Sequence, residues 1–146
     1  VRKTTSNKLI TVFGSAGLRD QTKRPLMGKV AALFSDYIIL TAEDPRTEDV
    51  RLIINQIAKG CLENKAKELT KEALSNIKSS TGKYFFRIPD RQEAINFAIR
   101  QLAKKGDTVI ICGKGNERSM CYGNTEFPWD ERQAVLKALY GPVKNS

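Results

Sequence analysis

The sequence predicts one α/β domain of three layers, with a mainly parallel sheet covered by helices on both faces. Two observations lead to this prediction. Short β-branched and aromatic runs alternate along the chain with segments whose apolar residues recur at helical spacing. The predicted strands are also nearly continuous in apolar residues, which is typical of parallel strands buried on both faces. The domain is therefore expected to be Rossmann-like, and no linker or repeat divides its 146 residues.

The strands are predicted from apolar runs that stop at turn residues or charged loops. They cover residues 8–13, 37–41, 84–88 and 107–112. Residues 113–129, after the last run, are expected to form a long loop. Three aromatic residues lie in it, and they are interpreted either as a binding platform or, more often in proteins, as packing beneath the loop: Tyr122, Phe127 and Trp129.

Helices are predicted between and after these strands. Pro25 suits the first turn of the first helix, and Glu48 opens the second, which Gly60 is expected to break. A further helical stretch is expected over 62–77, while Asp90 and Asp130 are expected to cap the last helices. The apolar residues of the first two helical faces are Leu26, Val30, Leu33 and Phe34, then Ile53, Ile54, Ile57 and Cys61.

Composition excludes several classes of function. The chain has no histidine, which excludes Ser-His-Asp and Cys-His catalysis and histidine metal sites. Its three cysteines form no Cys-x-x-Cys pair, so each is interpreted as a space-filling residue in a reducing cytoplasm. No segment is apolar enough for a membrane span or a secretory signal. The formal net charge of +9 favours anionic partners, but it is spread thinly along the chain.

Charged and glycine-rich loops follow the predicted strands at 14–25, 42–49 and 113–129. Because ligands of parallel α/β sheets collect at the carboxyl ends of the strands, these loops are expected to form a binding site. The first loop contains Gly14, Gly17 and Arg19, and it matches neither a dinucleotide fingerprint nor a phosphate loop. Its glycines can simply make a tight turn, whereas an arginine such as Arg19 suits a ligand carboxylate.

The second and third loops carry opposite charges close together. In 42–49, Glu48 and Asp49 are explained by helix capping, but Asp44 and Arg46 remain free to bind the amine and the carboxylate of a zwitterion. In the third loop, Gly113 allows close backbone approach, Lys114 supplies a point charge, and Glu117 can accept hydrogen bonds from an ammonium group. The residues alone leave this loop balanced between a functional and a structural role.

The three loops together resemble the carboxyl-terminal domain of the Mur ligases, which build the peptidoglycan precursor. The similarity is carried by residues 12–20 with 23–28, by Asp44-Pro45-Arg46 with the three residues after it, and by Gly113-Lys114-Gly115 with the two residues after it. It extends over about residues 8–141 and is strongest to the branch that adds the third amino acid. Three such motifs in this order and at this spacing make the resemblance specific to this family.

The resemblance implies a three-domain cytoplasmic enzyme of which residues 1–146 are the carboxyl-terminal domain. ATP and Mg²⁺ would be bound mainly by a central domain upstream, and ATP would convert a substrate carboxylate to an acyl phosphate that the incoming amine attacks. Neither cofactor is expected on this domain alone, and the isolated domain is expected to be inactive. Its partners would be the acceptor amino acid, the UDP-N-acetylmuramoyl-peptide, ATP and its own upstream domains. Membrane or nucleic-acid partners are not expected.

The resemblance also assigns roles, with no catalytic and no metal-binding residue among them. Arg19 and Arg46 would bind acceptor carboxylates, Asp44 and the Gly113 backbone would contact the same molecule, and Glu117 would hold its ammonium group. Lys114 would give electrostatic support.

The sequence departs from the family pattern at two positions, since Asp44 stands where the diaminopimelate branch has Asn, and Asn116 stands where the family has His. Diaminopimelate, lysine and other diamino acids all stay open as acceptors. Two alternatives also remain: a stand-alone basic module that binds nucleotide or nucleic acid, and a polyglutamate or cyanophycin ligase of the same superfamily.

Overall fold

The computed structural model describes residues 7–77 and 81–141. Its main sheet has five strands, all parallel, which are β1 Leu9–Phe13, β2 Tyr37–Leu40, β3 Lys67–Glu68, β4 Tyr84–Arg87 and β5 Thr108–Ile111. Their order across the sheet is β3-β4-β2-β1-β5, so β5 is an edge strand. Ile10, Val12, Ile38 and Ile39 are fully buried, because the central strands are covered on both faces.

The helices form a layer on each face of the sheet. They are α1 Lys23–Phe34, α2 Val50–Glu63, α3 Arg91–Phe97, which continues as a π-helical turn over Ala98–Leu102, and α4 Glu131–Tyr140. α1 and α2 pack on one face around Leu40, Ile57 and Phe85. α3 and α4 pack on the other face around Val12 and Phe86. The predicted three-layer α/β fold is thus confirmed.

α1 and α2 cross at unusually close range because both carry glycine at the crossing. A Cβ atom on Gly28 would lie 2.0 Å from the Ile57 carbonyl oxygen, and one on Gly60 would lie 1.9 Å from the Pro25 carbonyl oxygen. The expectation that Gly60 breaks α2 is therefore wrong, since the helix continues through it to Glu63. Gly60 is needed for helix packing and not for a helix end.

Other boundaries differ from the sequence prediction. The expected helix over 62–77 is wrong for its described residues: α2 ends, Lys67–Glu68 pairs in parallel with β4, and a 3₁₀-helix covers Glu72–Asn76. The long loop after β5 contains an antiparallel hairpin of β6 Ser119–Tyr122 and β7 Thr125–Pro128. The helix caps agree, because Asp90 and Asp130 accept hydrogen bonds from the N–H groups of Glu93 and Gln133. Over the described residues, no helix is long and apolar enough to cross a membrane.

The apolar face of α1 has the reverse orientation from that expected. Leu26, Val30, Leu33 and Phe34 are all exposed by half or more, while Gly28, Ala31 and Ala32 face the interior. The small residues suit the interior because the two helices approach closely there. The large residues are therefore left on the outside of this layer.

Candidate functional site

The first two loops at the carboxyl edge of the sheet are joined through Gly17. Its N–H donates to the Asp44 carbonyl oxygen at 2.9 Å, and its own carbonyl oxygen accepts from Arg46 Nη1 at 2.6 Å. A Cβ atom on Gly17 would lie only 1.9 Å from the Pro45 carbonyl oxygen. Close approach of two loops is thus the reason for glycine here, and the tight-turn interpretation is not needed.

The second loop is held in an unusual backbone conformation by the hairpin. Asp44 and Arg46 have φ angles of 38° and 55°, in the left-handed region that residues other than glycine rarely adopt. The Arg46 N–H donates to the Cys121 carbonyl oxygen, and the Arg46 carbonyl oxygen accepts from Gly123. The Cys121 N–H in turn donates to Asp44 Oδ1 at 2.8 Å. Such strained residues, held in place by many contacts, are frequent at functional sites.

The third loop contributes a buried lysine that joins two of the predicted site acids. Lys114 is 1% exposed, and its ammonium group donates to Asp44 Oδ1 at 2.8 Å and to Glu117 Oε2 at 2.5 Å. Lys114 is therefore in direct contact with both Asp44 and Glu117. Glu117 lies 73 positions after Asp44 in the sequence (117 less 44). These three residues are called the charge cluster below.

The contacts within the charge cluster change the proton affinity of Asp44 and Lys114. Partial burial opposes ionisation of Asp44, but hydrogen bonds from Lys114 and Cys121 outweigh it and hold the pKa of Asp44 below its ordinary value of 3.8. Burial likewise opposes the charge on Lys114, yet hydrogen bonds to Asp44 and Glu117 raise the pKa of Lys114 above 10.5. Asp44 and Lys114 are consequently both charged at neutral pH. Counted formally with the Glu117 carboxylate, the charge cluster has one surplus negative charge.

Gly113 brings the backbone of the third loop against the half-buried Glu43. A Cβ atom on Gly113 would lie 2.3 Å from Glu43 Oε2, and its φ of 115° is also unfavourable for other residues. Burial raises the pKa of Glu43, although Arg91 and Lys114 act against this through their charges. Sequence reasoning did not single out Glu43, since it assigned the acids of this loop to capping or to ligand binding at Asp44.

Arg19 is exposed on the first loop and forms no hydrogen bond or ion pair with any described residue. The structure therefore leaves its guanidinium group accessible, but it does not bring that group into the charge cluster. The neighbouring Arg24 has the opposite character. It is fully buried and contacts the Ala16 carbonyl oxygen, Gln56 and both carboxylate oxygens of Glu48. It fixes the first loop against α2.

A second buried arginine joins the ends of the two central loops. Arg91, 1% exposed, donates to the carbonyl oxygens of Ala42 at 2.9 Å and Cys112 at 2.8 Å. It also forms a two-pronged ion pair with Glu131 of α4, which accepts from the Trp129 indole N–H at 2.8 Å. Arg91 thereby sets the distance between the loops that carry Asp44 and Lys114. The sequence prediction did not include it.

The aromatic residues of the third loop do not form one platform. Trp129 packs partly buried against the α3 and α4 core, as the packing interpretation predicts. Tyr122 and Phe127 lie exposed on the hairpin, with ring centroids 6.0 Å apart.

The cysteines differ from one another. Cys61 is a buried filler, and burial raises its pKa to about 12. Cys112 is exposed, so the filler interpretation is wrong for it.

Taken together, the site offers opposite charges within a hydrogen-bonded frame. The charge cluster supplies surplus negative charge, and the Arg46 guanidinium on the same loop supplies positive charge, with only one described hydrogen bond to protein. Such a pairing can recognise a zwitterion, with carboxylates on arginine and the ammonium group on acid. Within the described residues, no three His, Cys, Asp or Glu side chains come together as a metal site.

Comparison with known families gives one profile match over most of the chain. The family described as "Mur ligase, glutamate ligase domain" matches residues 1–115. A solved structure of UDP-N-acetylmuramoyl-L-alanyl-D-glutamate–2,6-diaminopimelate ligase is also similar, with a TM-score of 0.73 and 35% identity. The matched region covers 92% of this chain and 24% of the chain in that structure.

Curated relatives carry similar names. UDP-N-acetylmuramyl-tripeptide synthetases of Roseiflexus sp. (strain RS-1) and Borreliella burgdorferi are 44% identical over 95% and 96% of this chain. The UDP-N-acetylmuramoyl-L-alanyl-D-glutamate–2,6-diaminopimelate ligase of Geobacter metallireducens is 38% identical over 95% of it. This chain spans about a quarter of the length of these relatives, at 24–27%.

Proposed function

Because this chain belongs to the Mur ligase family and corresponds to its carboxyl-terminal domain, we propose that it binds the incoming amino acid in an ATP-dependent ligase. The reaction would add a diamino acid to a UDP-N-acetylmuramoyl-peptide during synthesis of the peptidoglycan precursor. Relatives with 38–44% identity are named for such reactions. The single observation that supports this role most directly is the charge cluster, in which Lys114 holds Asp44 and Glu117 together beside Arg46.

The acceptor would be held by residues of all three loops. Arg46 and the accessible Arg19 would bind its carboxylates, and Glu117 would accept hydrogen bonds from its ammonium group. Asp44 and the Gly113 backbone would contact the same molecule. The side chain of Glu117 is 55% exposed, so one face of its carboxylate is open to a ligand while Lys114 holds the other.

Lys114 is proposed to support this site without binding the acceptor itself. Two carboxylates held on either side of the same point would repel each other without a cation between them. With its ammonium group between them, Lys114 offsets this repulsion and leaves a formal net charge of −1 for the acceptor amine. It also keeps the two loops in register, which is catalysis by positioning.

ATP and Mg²⁺ are proposed to bind mainly to a central domain of the longer enzyme. ATP would supply the phosphoryl group that activates the substrate carboxylate, and Mg²⁺ would neutralise the phosphates. The residues of this chain would orient the acceptor amine and close over the reacting groups. We therefore expect the chain alone to show no ATP hydrolysis that depends on an amino acid.

The test compares acceptor kinetics of the full-length ligase and a Glu117→Gln variant. Loss of one charge-assisted hydrogen bond, worth about 1.5–3 kcal/mol, should raise the KM for the acceptor by roughly 10- to 150-fold. The KM values for ATP and for the UDP-peptide should not change. The control is Glu126→Gln, the same substitution on the exposed strand β7 outside the charge cluster. An unchanged acceptor KM in Glu117→Gln would exclude this role.

The same assay identifies the acceptor, since diaminopimelate and lysine differ in their distal groups. Asp44 is ionised and cannot donate a hydrogen bond to a distal carboxylate, but it can attract a distal ammonium group. Arg46, in contrast, suits a distal carboxylate. An Asp44→Asn variant should therefore shift the ratio of kcat/KM values toward diaminopimelate if both residues face that end of the acceptor.

A further inference from the structure

Leu18, at the tip of the first loop, is an exposed residue in a strained backbone conformation. Its side chain is 64% exposed, the highest value for a large aliphatic residue in the described part of the chain, and it belongs to neither of the two hydrophobic cores. Its φ angle of 54° lies in the left-handed region, which is unfavourable for a bulky residue. Glycine would adopt this conformation without steric cost, so neither the backbone nor the cores explain a leucine here.

Hydrogen bonds on both sides hold Leu18 in this conformation. Its N–H donates to Glu48 Oε1 at 2.7 Å, and the N–H of Gly17 before it donates to the Asp44 carbonyl oxygen at 2.9 Å. Glu48 is fixed in turn, because the fully buried Arg24 binds both of its carboxylate oxygens. The backbone at Leu18 is therefore held in place, and its side chain extends into solvent.

Strain of this kind indicates a site only where other observations agree with it. Lys65, for example, also has a positive φ, but it directly follows α2, and its N–H donates to a carbonyl oxygen in the last turn of that helix. Its conformation is explained by the helix end. The other described residues of this kind, glycine excepted, are Leu18, Asp44 and Arg46, which all lie in the first two loops. Their strain is therefore concentrated at the proposed acceptor site.

Leu18 adjoins the two arginines that are proposed to bind acceptor carboxylates. Arg46 Nη1 lies 2.6 Å from the Gly17 carbonyl oxygen, which belongs to the peptide unit that joins Gly17 to Leu18. Arg19 follows Leu18 directly and is exposed. The leucine thus adds apolar surface to a region that otherwise offers charge. This combination suits a ligand that has both a carboxylate and a hydrocarbon chain.

We propose that Leu18 determines acceptor specificity by packing against the methylene chain of the incoming diamino acid. The proposal rests on the function proposed above, because it requires an acceptor held by Arg46 and Glu117. Methylene groups form no conventional hydrogen bonds, so their contact with the protein contributes through burial of apolar surface. The site would therefore favour unbranched diamino acids with several methylene groups over shorter ones.

The alternative is that Leu18 contacts another domain of the longer ligase. The two contacts differ in how they depend on the acceptor. Contact with another domain would change the reaction of every acceptor by the same factor. Contact with methylene groups contributes more when the acceptor has more of them. The length of the acceptor is thus the variable that distinguishes the two.

The test measures kcat/KM of the full-length ligase and its Leu18→Ala variant for unbranched diamino acids with one to four methylene groups, from 2,3-diaminopropionate to lysine. Acceptors that are not turned over are compared by their inhibition constants as competitive inhibitors. We expect the loss in Leu18→Ala to grow by up to about fourfold for each added methylene group that the leucine covers. A loss by the same factor for all acceptors, or no loss, would overturn the proposal.

Two further variants serve as controls. Leu62 is 53% exposed but lies in the last turn of α2, at the opposite edge of the sheet, so Leu62→Ala should leave all values unchanged. Leu18→Met keeps an apolar side chain of similar size and should retain most of the dependence on acceptor length. If Glu117→Gln raises the acceptor KM but Leu18→Ala shows no dependence on length, this inference fails while the proposed function stands. If Glu117→Gln has no effect, the proposed function fails as well.

Leu18→Gly distinguishes a role in specificity from a role in folding. The substitution removes the side chain together with the strain, since glycine adopts a positive φ readily. The melting temperature of the full-length ligase should stay close to that of the unmodified enzyme, while the dependence on acceptor length falls as in Leu18→Ala. A clear fall in the melting temperature would show that the leucine supports the fold, and it would contradict the proposal.

Discussion

The carboxyl edge of the sheet and the outer face of α1 depart in opposite directions from the usual distribution of side chains. At the edge, charged groups are buried: Arg91 and Lys114 are each 1% exposed. On α1, large apolar groups such as Leu26 are half-exposed or more. Both arrangements cost free energy unless something compensates for them. At the edge the compensation lies within the described residues, whereas the α1 face has none there.

This difference distinguishes two kinds of surface on the same domain. The polar edge contains its own counter-charges, because Arg91 contacts one carboxylate and two carbonyl oxygens and Lys114 contacts two carboxylates. Its frame is therefore expected to be rigid before any ligand binds. The apolar face has no covering element among the described residues. The predictions below test the polar edge first, where the effects are largest, and the apolar face last.

The largest effect on stability is expected from Arg91→Met. The substitution leaves the carboxylate of Glu131 without its cation and two carbonyl oxygens without a donor. Removing one member of a buried ion pair costs about 3–5 kcal/mol. Urea unfolding should show this as a lower midpoint.

The matched control is Arg118→Met, whose guanidinium pairs with Asp130 on the surface and is 81% exposed. An exposed pair contributes about 0–1 kcal/mol, so this variant should unfold almost as the unmodified chain does. Similar losses in both variants would mean that Arg91 does not hold the two loops together.

A smaller effect is expected from acid. Hydrogen bonds from Lys114 and Cys121 hold the pKa of Asp44 below 3.8, so Asp44 contributes stability above that pH and loses it as the pH falls through the lowered value. Lys114→Met removes one of those hydrogen bonds together with the nearby charge. The unfolding free energy of the variant should therefore fall less between about pH 6 and about pH 3 than that of the unmodified chain.

Lys59→Met provides the comparison for this pH profile. Lys59 pairs with Glu63 on the surface of α2, with 69% of its side chain exposed. Its removal should leave the acid dependence unchanged, since surface pairs are screened by solvent. If Lys114→Met and the unmodified chain lose the same free energy in acid, Lys114 does not set the pKa of Asp44.

The sequence predicted β1, β2, β4 and β5 well because their apolar runs suit burial between two helical layers. It failed for 62–77, where helix-forming composition did not decide the structure. Lys67 and Glu68 are exposed and gain more from pairing with β4 than from helix propensity, which contributes a few tenths of a kcal/mol per residue. The spacing of Leu26, Val30 and Phe34 correctly indicated a helix but not which side of that helix faces inward.

At the site, the sequence identified the residues that bear charge but not their partners. Asp44, Lys114 and Glu117 were all selected, yet nothing local indicates that Lys114 would be buried between the other two. Arg91 was missed although a signal exists. It stands in the first turn of α3, where the helix dipole disfavours a cation, so a specific anionic partner was to be expected.

The smallest effect is expected on the apolar face, in a matched pair of leucine substitutions. Leu40→Ala on β2 removes a side chain that is fully buried and should cost about 2–5 kcal/mol. Leu26→Ala, the same substitution at a position that is 59% exposed, should cost less than about 1 kcal/mol in the 146-residue chain. Urea unfolding measures both values.

The cost of Leu26→Ala is informative in the longer ligase as well. If a helix covers α1 there, Leu26 becomes a buried residue, and its substitution should approach the cost of Leu40→Ala. A cost that stays small in both lengths of chain would show that the α1 face remains open to solvent in the enzyme. The difference in the cost of Leu26→Ala between the two polypeptides therefore measures how far residues outside the 146-residue chain cover the α1 face. The cost of Arg91→Met should be the same in both polypeptides.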